Sequence, residues 1–115
     1  MFTPQKPAST PAAAAGFTAL LFTLASSLSL AQAALGNVKL SITPIAGNVY
    51  LIQRPGGGGN IGALVGDDGV LLVDSLFAPM TDALVSAIAE VTEQPIKFLI
   101  NTHIHLDHVG GNANL

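Results

Sequence analysis

The sequence predicts an α/β fold: a meander of short antiparallel strands, then one helix, then a buried strand that ends in a histidine-rich motif. Three observations carry this. Short apolar runs, broken by glycine, proline and paired aspartates, recur from residue 38 to residue 74. One stretch of helical periodicity comes after them. All three histidines of the chain then fall between residues 103 and 108, directly after another apolar run.

Composition bounds the reading. The 115 residues suit one small domain, and 50% hydrophobic against 10% charged residues indicates a globular chain rather than a disordered one. The formal net charge is −3, with no basic cluster, so nucleic acid is not an expected partner. There is no cysteine, which removes disulfides, thiolate ligands and a cysteine nucleophile.

Residues 1–33 read as an export signal. Lys6 is the only charge, an apolar run extends from Ala12 to Ala25, and Ala31-Gln32-Ala33 supplies the small-x-small pattern of a cleavage site. Cleavage is expected after Ala33, with Ala31 as the alternative, leaving a domain of residues 34–115 in the periplasm or outside the cell. Ala12 to Leu30 is nearly long enough to span a bilayer, so an uncleaved signal is the one expected route to a membrane.

Val38 to Thr43 reads as the first strand, stopped by Pro44, and Asn48 to Gln53 as the second. Arg54 to Asn60 contains four glycines and reads as a loop, because glycine loses the most backbone entropy on ordering. Ile61 to Val65 and Val70 to Asp74 form a hairpin through Gly66-Asp67-Asp68-Gly69. Val70 to Val73 is continuously apolar and is expected to be buried on both faces. Asp74, at the end of that strand, needs a partner, either a helix start or turn ahead of it or a more distant group.

Pro79 to Thr92 carries a stripe of Leu84, Ala87, Ile88 and Val91 at helical spacing, with Pro79 and Asp82 suited to a first turn and Pro95 closing it. Ile96 to Asn101 reads as a buried strand. A further helix is expected to begin between Gly111 and Leu115.

The motif is Asn101-Thr102-His103-Ile104-His105-Leu106-Asp107-His108-Val109-Gly110-Gly111-Asn112. Three imidazoles and a carboxylate crowded together are costly unless a cation holds them, and zinc accepts both donor types. In an extended segment His103 and His105 would lie on one side, with Cα atoms about 6–7 Å apart, close enough to share an ion. Asp107 would continue that alternation. The adjacent Asp107-His108 pair suits a turn and could reach a second ion or a bound water.

Thr102 to Gly111 resembles the Thr-His-x-His-x-Asp-His-x-Gly-Gly signature of the metallo-β-lactamase superfamily, matching every fixed position. The resemblance implies the N-terminal half of a four-layer αββα sandwich, with two sheets face to face and helices outside. It implies that His103 and His105 ligate a first zinc and that Asp107 and His108 ligate a second, with iron or manganese as alternative metals. It places Asp74 beneath the motif, hydrogen-bonding its backbone or a ligand imidazole. It also suggests that the glycine loop, otherwise a surface hairpin tip, could act as a flap over the site. The family's remaining ligands do not occur in these 115 residues, so a truncated domain is expected.

The implied function is an exported metal-dependent hydrolase that turns a metal-activated hydroxide on an acyl, ester or lactam bond of a small-molecule substrate, with Asp107 as the catalytic carboxylate. The competing reading is a non-catalytic exported module that binds metal or a partner through the same ligands. Residues 34–115 alone are expected to be neither an active enzyme nor a tight zinc binder.

Overall fold

The computed structural model describes residues 28–30 and 33–115. The chain divides into two compact units, residues 1–31 and residues 32–115. The expected export signal lies outside the described residues apart from short helical pieces at 28–30 and from residue 33 onward. Among the described residues, no helix is long and apolar enough to cross a membrane.

The second unit is built on a five-stranded sheet whose spatial order equals its sequence order. Strands β1 (Ser41–Ala46), β2 (Val49–Gln53), β3 (Ile61–Gly66) and β4 (Gly69–Val73) form an antiparallel meander. Strand β5 (Ile96–Ile100) then pairs with β4 in parallel. A parallel neighbour needs a long crossover, and helix α1 (Thr81–Ala89) supplies it.

The boundaries depart from expectation where context overrides the local signal. β1 begins later than expected and runs through Pro44, which pairs with Tyr50. It is an edge strand, where a missing N–H can face outward without breaking a ladder, and a bulge lies between Pro44 and Ala46. The predicted helix Pro79–Thr92 resolves into a 3-10 turn at Ala78–Met80 and then α1. Its last turn tightens, with Val91 and Thr92 both donating to the Ile88 carbonyl. The expected C-terminal helix is only a 3-10 turn at Asn112–Asn114.

One face of the sheet carries the core. Ile52, Ile61, Ala63, Val70 and Leu72 are buried, and Met80, Leu84, Ala87 and Ile88 join them from α1 and its preceding turn. Each large side chain buried here contributes about 1.5–3 kcal/mol. Among the described residues, no helix covers the other face. Register places Val49, Leu64, Leu71 and Phe98 in one row and Leu51, Gly62, Val73 and Ile100 in the next. Phe98 and Ile100 are more than half exposed, and Val49 and Leu64 are exposed as well. The expectation that β4 is buried on both faces is therefore corrected, since only Val70 and Leu72 are buried. β5 is corrected in the same way: it is a largely exposed edge strand. The physical reason is that, among the described residues, helices cover one face only and no second layer meets the apolar residues of the other.

This architecture brings two chain segments together at one end of the sheet. β4 and β5 finish side by side, and the Asp74 N–H donates to the Ile100 carbonyl at 2.8 Å. Asp74 and Ser75, just beyond β4, therefore lie against Asn101 and Thr102, just beyond β5, where the motif begins.

Candidate metal centre

The motif is a bent loop that closes into one short helical turn. Residues 102–105 form bends rather than a strand, and α2 (Leu106–Val109) begins with His105 in extended conformation as its N-cap. The expected alternation therefore stops before Asp107, which sits in the first turn of α2. That turn brings the His108 ring against that of His103. The His103 ring lies edge-on to His105 with centroids 4.7 Å apart, and its centroid is 3.9 Å from that of His108.

Buried polar groups hold this loop from below. Asp74 is almost fully buried and has a left-handed backbone, with φ of 71°. Such a conformation costs about 1–2 kcal/mol in an L-residue, less for aspartate than for most. Its carboxylate satisfies three donors. Oδ1 accepts the Thr102 N–H at 2.7 Å, and Oδ2 accepts the Thr102 hydroxyl at 2.8 Å and lies 2.7 Å from His108 Nδ1. Hydrogen bonds to a charged group contribute about 1.5–3 kcal/mol each, enough to offset the backbone cost. Burial pushes the Asp74 carboxyl up. The bonds from His108 and Thr102 outweigh this and hold it below the usual carboxylate range. Neither helical start uses Asp74 as a cap.

Ser75, Asn101 and Asn112 form a second clamp. The His108 carbonyl accepts the Ser75 N–H at 2.8 Å and an Asn101 side-chain N–H at 3.1 Å. The Ser75 hydroxyl donates to Asn112 Oδ1 at 2.6 Å, and the Asn112 amide donates to Asn101 Oδ1 at 2.7 Å. The two asparagines that bracket the motif are thus tied to each other at its base. Gly111 is buried here, and a Cβ at that position would run into the Ser75 carbonyl. The second motif glycine is therefore a close-packing requirement.

The glycine loop is more than a surface tip. Gly59 is buried, and a Cβ there would lie 2.7 Å from the Asp107 carbonyl and 3.4 Å from the His108 ring. Earlier in the loop Arg54 Nε donates to the Gly57 carbonyl at 2.6 Å, folding the loop on itself. Its far end is pressed against α2.

The donor atoms fit a metal in pairs. Ligand atoms at two corners of a tetrahedron stand about 1.6 bond lengths apart, or about 3.3 Å for zinc bonds of about 2.0–2.1 Å. His103 Nε2 and His105 Nδ1 are 3.0 Å apart, and His108 Nε2 and Asp107 Oδ2 are 3.5 Å apart. Each pair spans close to one edge of such a site, and nitrogen with carboxylate oxygen is a donor set that zinc accepts. Among the described residues no group of three or more His, Cys, Asp or Glu side chains could hold a metal ion. The motif supplies ligands in pairs, fewer than the three protein groups of a catalytic zinc site.

The five residues singled out from the sequence, Asp74, His103, His105, Asp107 and His108, thus occupy one cluster. Sequence reasoning gave no separate part to Ser75, Asn101, Asn112 or Gly59, and it took Thr102 only as a position of the motif. The one available signal was position: Ser75 comes directly after Asp74, and the asparagines flank the motif. The flap suggested for the glycine loop brought that loop near the site as a whole, but nothing in the sequence singled out Gly59, 48 residues before Asp107, as the point of contact.

Comparison with known proteins bears on the family and the fold. The profile of the metallo-beta-lactamase superfamily matches residues 42–115. No curated protein matches the chain. Among solved structures, the metallo-beta-lactamase MIM-2 is 28% identical, with a TM-score of 0.56, over 63% of this chain and 27% of its own. A mutant of the metallo-beta-lactamase FEZ-1 from Legionella gormanii is 22% identical, with a TM-score of 0.59, over 66% of this chain and 29% of its own. The class B3 di-zinc metallo-beta-lactamase LRA-12, from an Alaskan soil metagenome, is 22% identical, with a TM-score of 0.59, over 69% of this chain and 30% of its own. At 22% identity the likeness shows the fold alone. The matched region spans less than a third of each of these structures.

Proposed function

Because this chain belongs to the metallo-beta-lactamase superfamily, we propose that it carries the first half of the active site of an exported, metal-dependent hydrolase. The observation that carries the reading is the pairing of donors, His103 with His105 and Asp107 with His108, each close to one edge of a zinc tetrahedron. His103 and His105 hold one ion and Asp107 and His108 a second, completed by ligands outside these residues. Zinc suits the donors best; iron or manganese would use the same set. One solved neighbour is described as a di-zinc enzyme, which supports two ions.

Bound zinc supplies acidified water at neutral pH and positive charge for a developing oxyanion. The chain's own groups do the rest. Asp74 and Thr102 lock the imidazoles beneath the site, so their donor atoms are oriented in advance. Asp107 is partly exposed and has a carboxylate oxygen free of the Asp74 network. It orients the attacking water and takes its proton, which then passes to the leaving oxygen or nitrogen as the acyl bond breaks. His103 and His105 are exposed at the mouth of the site, where a small acyl, ester or lactam substrate can approach.

The bare sheet face fits this reading. A second sheet laid on Val49, Leu64, Phe98 and Ile100 would complete the sandwich. The test is to express the protein that carries the complete domain and measure its metal content and its turnover of an ester, a thioester and a β-lactam. A metal-free protein inert toward all three would overturn the proposal.

A further inference from the structure

We infer that Thr102 is a positioning residue whose hydroxyl extends the hold of one carboxylate, Asp74, from His108 to His103. Both imidazoles are thereby fixed with the proton on Nδ1 and the lone pair on Nε2. The consequence for metal binding rests on the proposed function; the geometry does not.

The Thr102 hydroxyl has a single proton and three neighbours, Asp74 Oδ2 at 2.8 Å, His103 Nδ1 at 3.0 Å and, more distant at 3.4 Å, His108 Nδ1, which spends its own hydrogen on Asp74 and cannot accept. An ionised carboxylate can only accept. Were the proton turned to His103, the hydroxyl and carboxylate oxygens would face each other at 2.8 Å with no hydrogen between them. The proton therefore goes to Asp74, in the stronger, charge-assisted bond. The hydroxyl oxygen is left as an acceptor, so His103 Nδ1 must bring its own hydrogen. The lone pair of His103 is then on Nε2, the atom that faces His105 Nδ1 at 3.0 Å. On the other side, His108 Nδ1 lies 2.7 Å from the same Asp74 oxygen and must donate, which leaves its Nε2 facing Asp107.

His105 is bound by the same constraint. With His103 Nε2 an acceptor, the hydrogen between the two rings belongs to His105 Nδ1. For both of these nitrogens to serve as ligands, His105 would have to carry its proton on Nε2 instead. His103 and His108 need no such change. The site is pre-set at two imidazoles and adjusts at one.

The experiment uses the metal-free protein carrying the complete domain, with labelled histidines. Long-range nitrogen–proton correlation spectra distinguish the two tautomers of each ring. We expect Nδ1–H at His103, His105 and His108. Thr102→Val keeps the backbone N–H to Asp74 but removes the hydroxyl: His103 should become a tautomer mixture while His108 stays Nδ1–H. Thr102→Ser should restore the wild-type pattern. Zinc affinity, measured against a chromophoric chelator, should fall about 10- to 100-fold in the valine variant and return with serine. An Nε2–H form of His103 in the wild-type protein overturns the inference even if the valine variant fails to fold. So does a valine variant with unchanged His103 and unchanged zinc affinity. The expected tautomers in a protein that takes up no zinc would support the relay and overturn the metal reading.

Discussion

Asp74 and His108 lie 34 residues apart in sequence, yet the Asp74 carboxylate oxygen stands 2.7 Å from His108 Nδ1. That one pairing ties the end of β4 to the histidine motif, and it makes a buried strand end part of the candidate centre.

Replacing Asp74 with Asn should therefore be costly although the shapes match. The amide can still accept the Thr102 N–H, but its NH2 cannot accept from His108 or from the Thr102 hydroxyl. We expect a loss of at least about 2 kcal/mol in urea unfolding and a zinc affinity lower by about 10- to 100-fold. Wild-type affinity in this variant would show that the pairing does not orient the ligand.

The same carboxylate predicts an acid sensitivity. Its folded pKa is held below the ordinary value, so the stability it contributes is fully present above about pH 4. That contribution fades as pH falls through the depressed folded value. Urea midpoints measured on acidification should drop more steeply for wild type than for Asp74→Asn. Parallel curves would rule out this linkage.

Gly59→Ala tests the contact between the glycine loop and α2. The added methyl would meet the Asp107 carbonyl at 2.7 Å, so either the loop lifts or α2 shifts. Turnover should fall about tenfold or more, the size of effect expected when a supporting contact of a metal site is lost. Thermal stability should change little, because the loop can move outward. Gly111→Ala should behave oppositely, because its methyl meets the Ser75 backbone inside the packed base. A loss of about 3 kcal/mol or failure to accumulate as folded protein is expected.

Much of this arrangement was legible in the sequence, and the exceptions have physical causes. The β2, β3, β4 and β5 segments announced themselves by apolar runs and glycine turns, and the motif by its crowded histidines. A run such as Val70 to Val73 says only that a strand can be buried. Whether both faces are covered depends on a second layer, which one strand's composition does not report. The left-handed backbone of Asp74 was equally silent, since it depends on hydrogen bonds to Thr102 and His108 that form only after β4 and β5 align. The Thr102 hydroxyl carried no signal of its own because it meets Asp74, 28 residues upstream, and the motif imidazoles only once the chain has folded. Gly59 could not be told from the other glycines of the suggested flap, because its neighbour is distant in sequence.

The bare sheet face predicts the behaviour of residues 34–115 in isolation. Phe98 and Ile100 are more than half exposed on an edge strand, an arrangement that favours association. The isolated segment should aggregate or bind a hydrophobic dye, without a cooperative thermal transition and without a nanomolar zinc site. A soluble monomer with a sharp transition would mean that this sheet needs no second layer.

The central claim is that the motif holds metal in two pairs of ligands. Its most direct measurement is the metal content of the purified complete domain, determined alongside turnover in wild type, His105→Ala and Asp107→Asn. We expect about two zinc ions per wild-type chain, the stoichiometry of a two-metal hydrolase. His105→Ala should lose metal and activity together, and Asp107→Asn should lose most turnover even where one ion remains. Full zinc content and wild-type turnover in either variant would contradict the assignment.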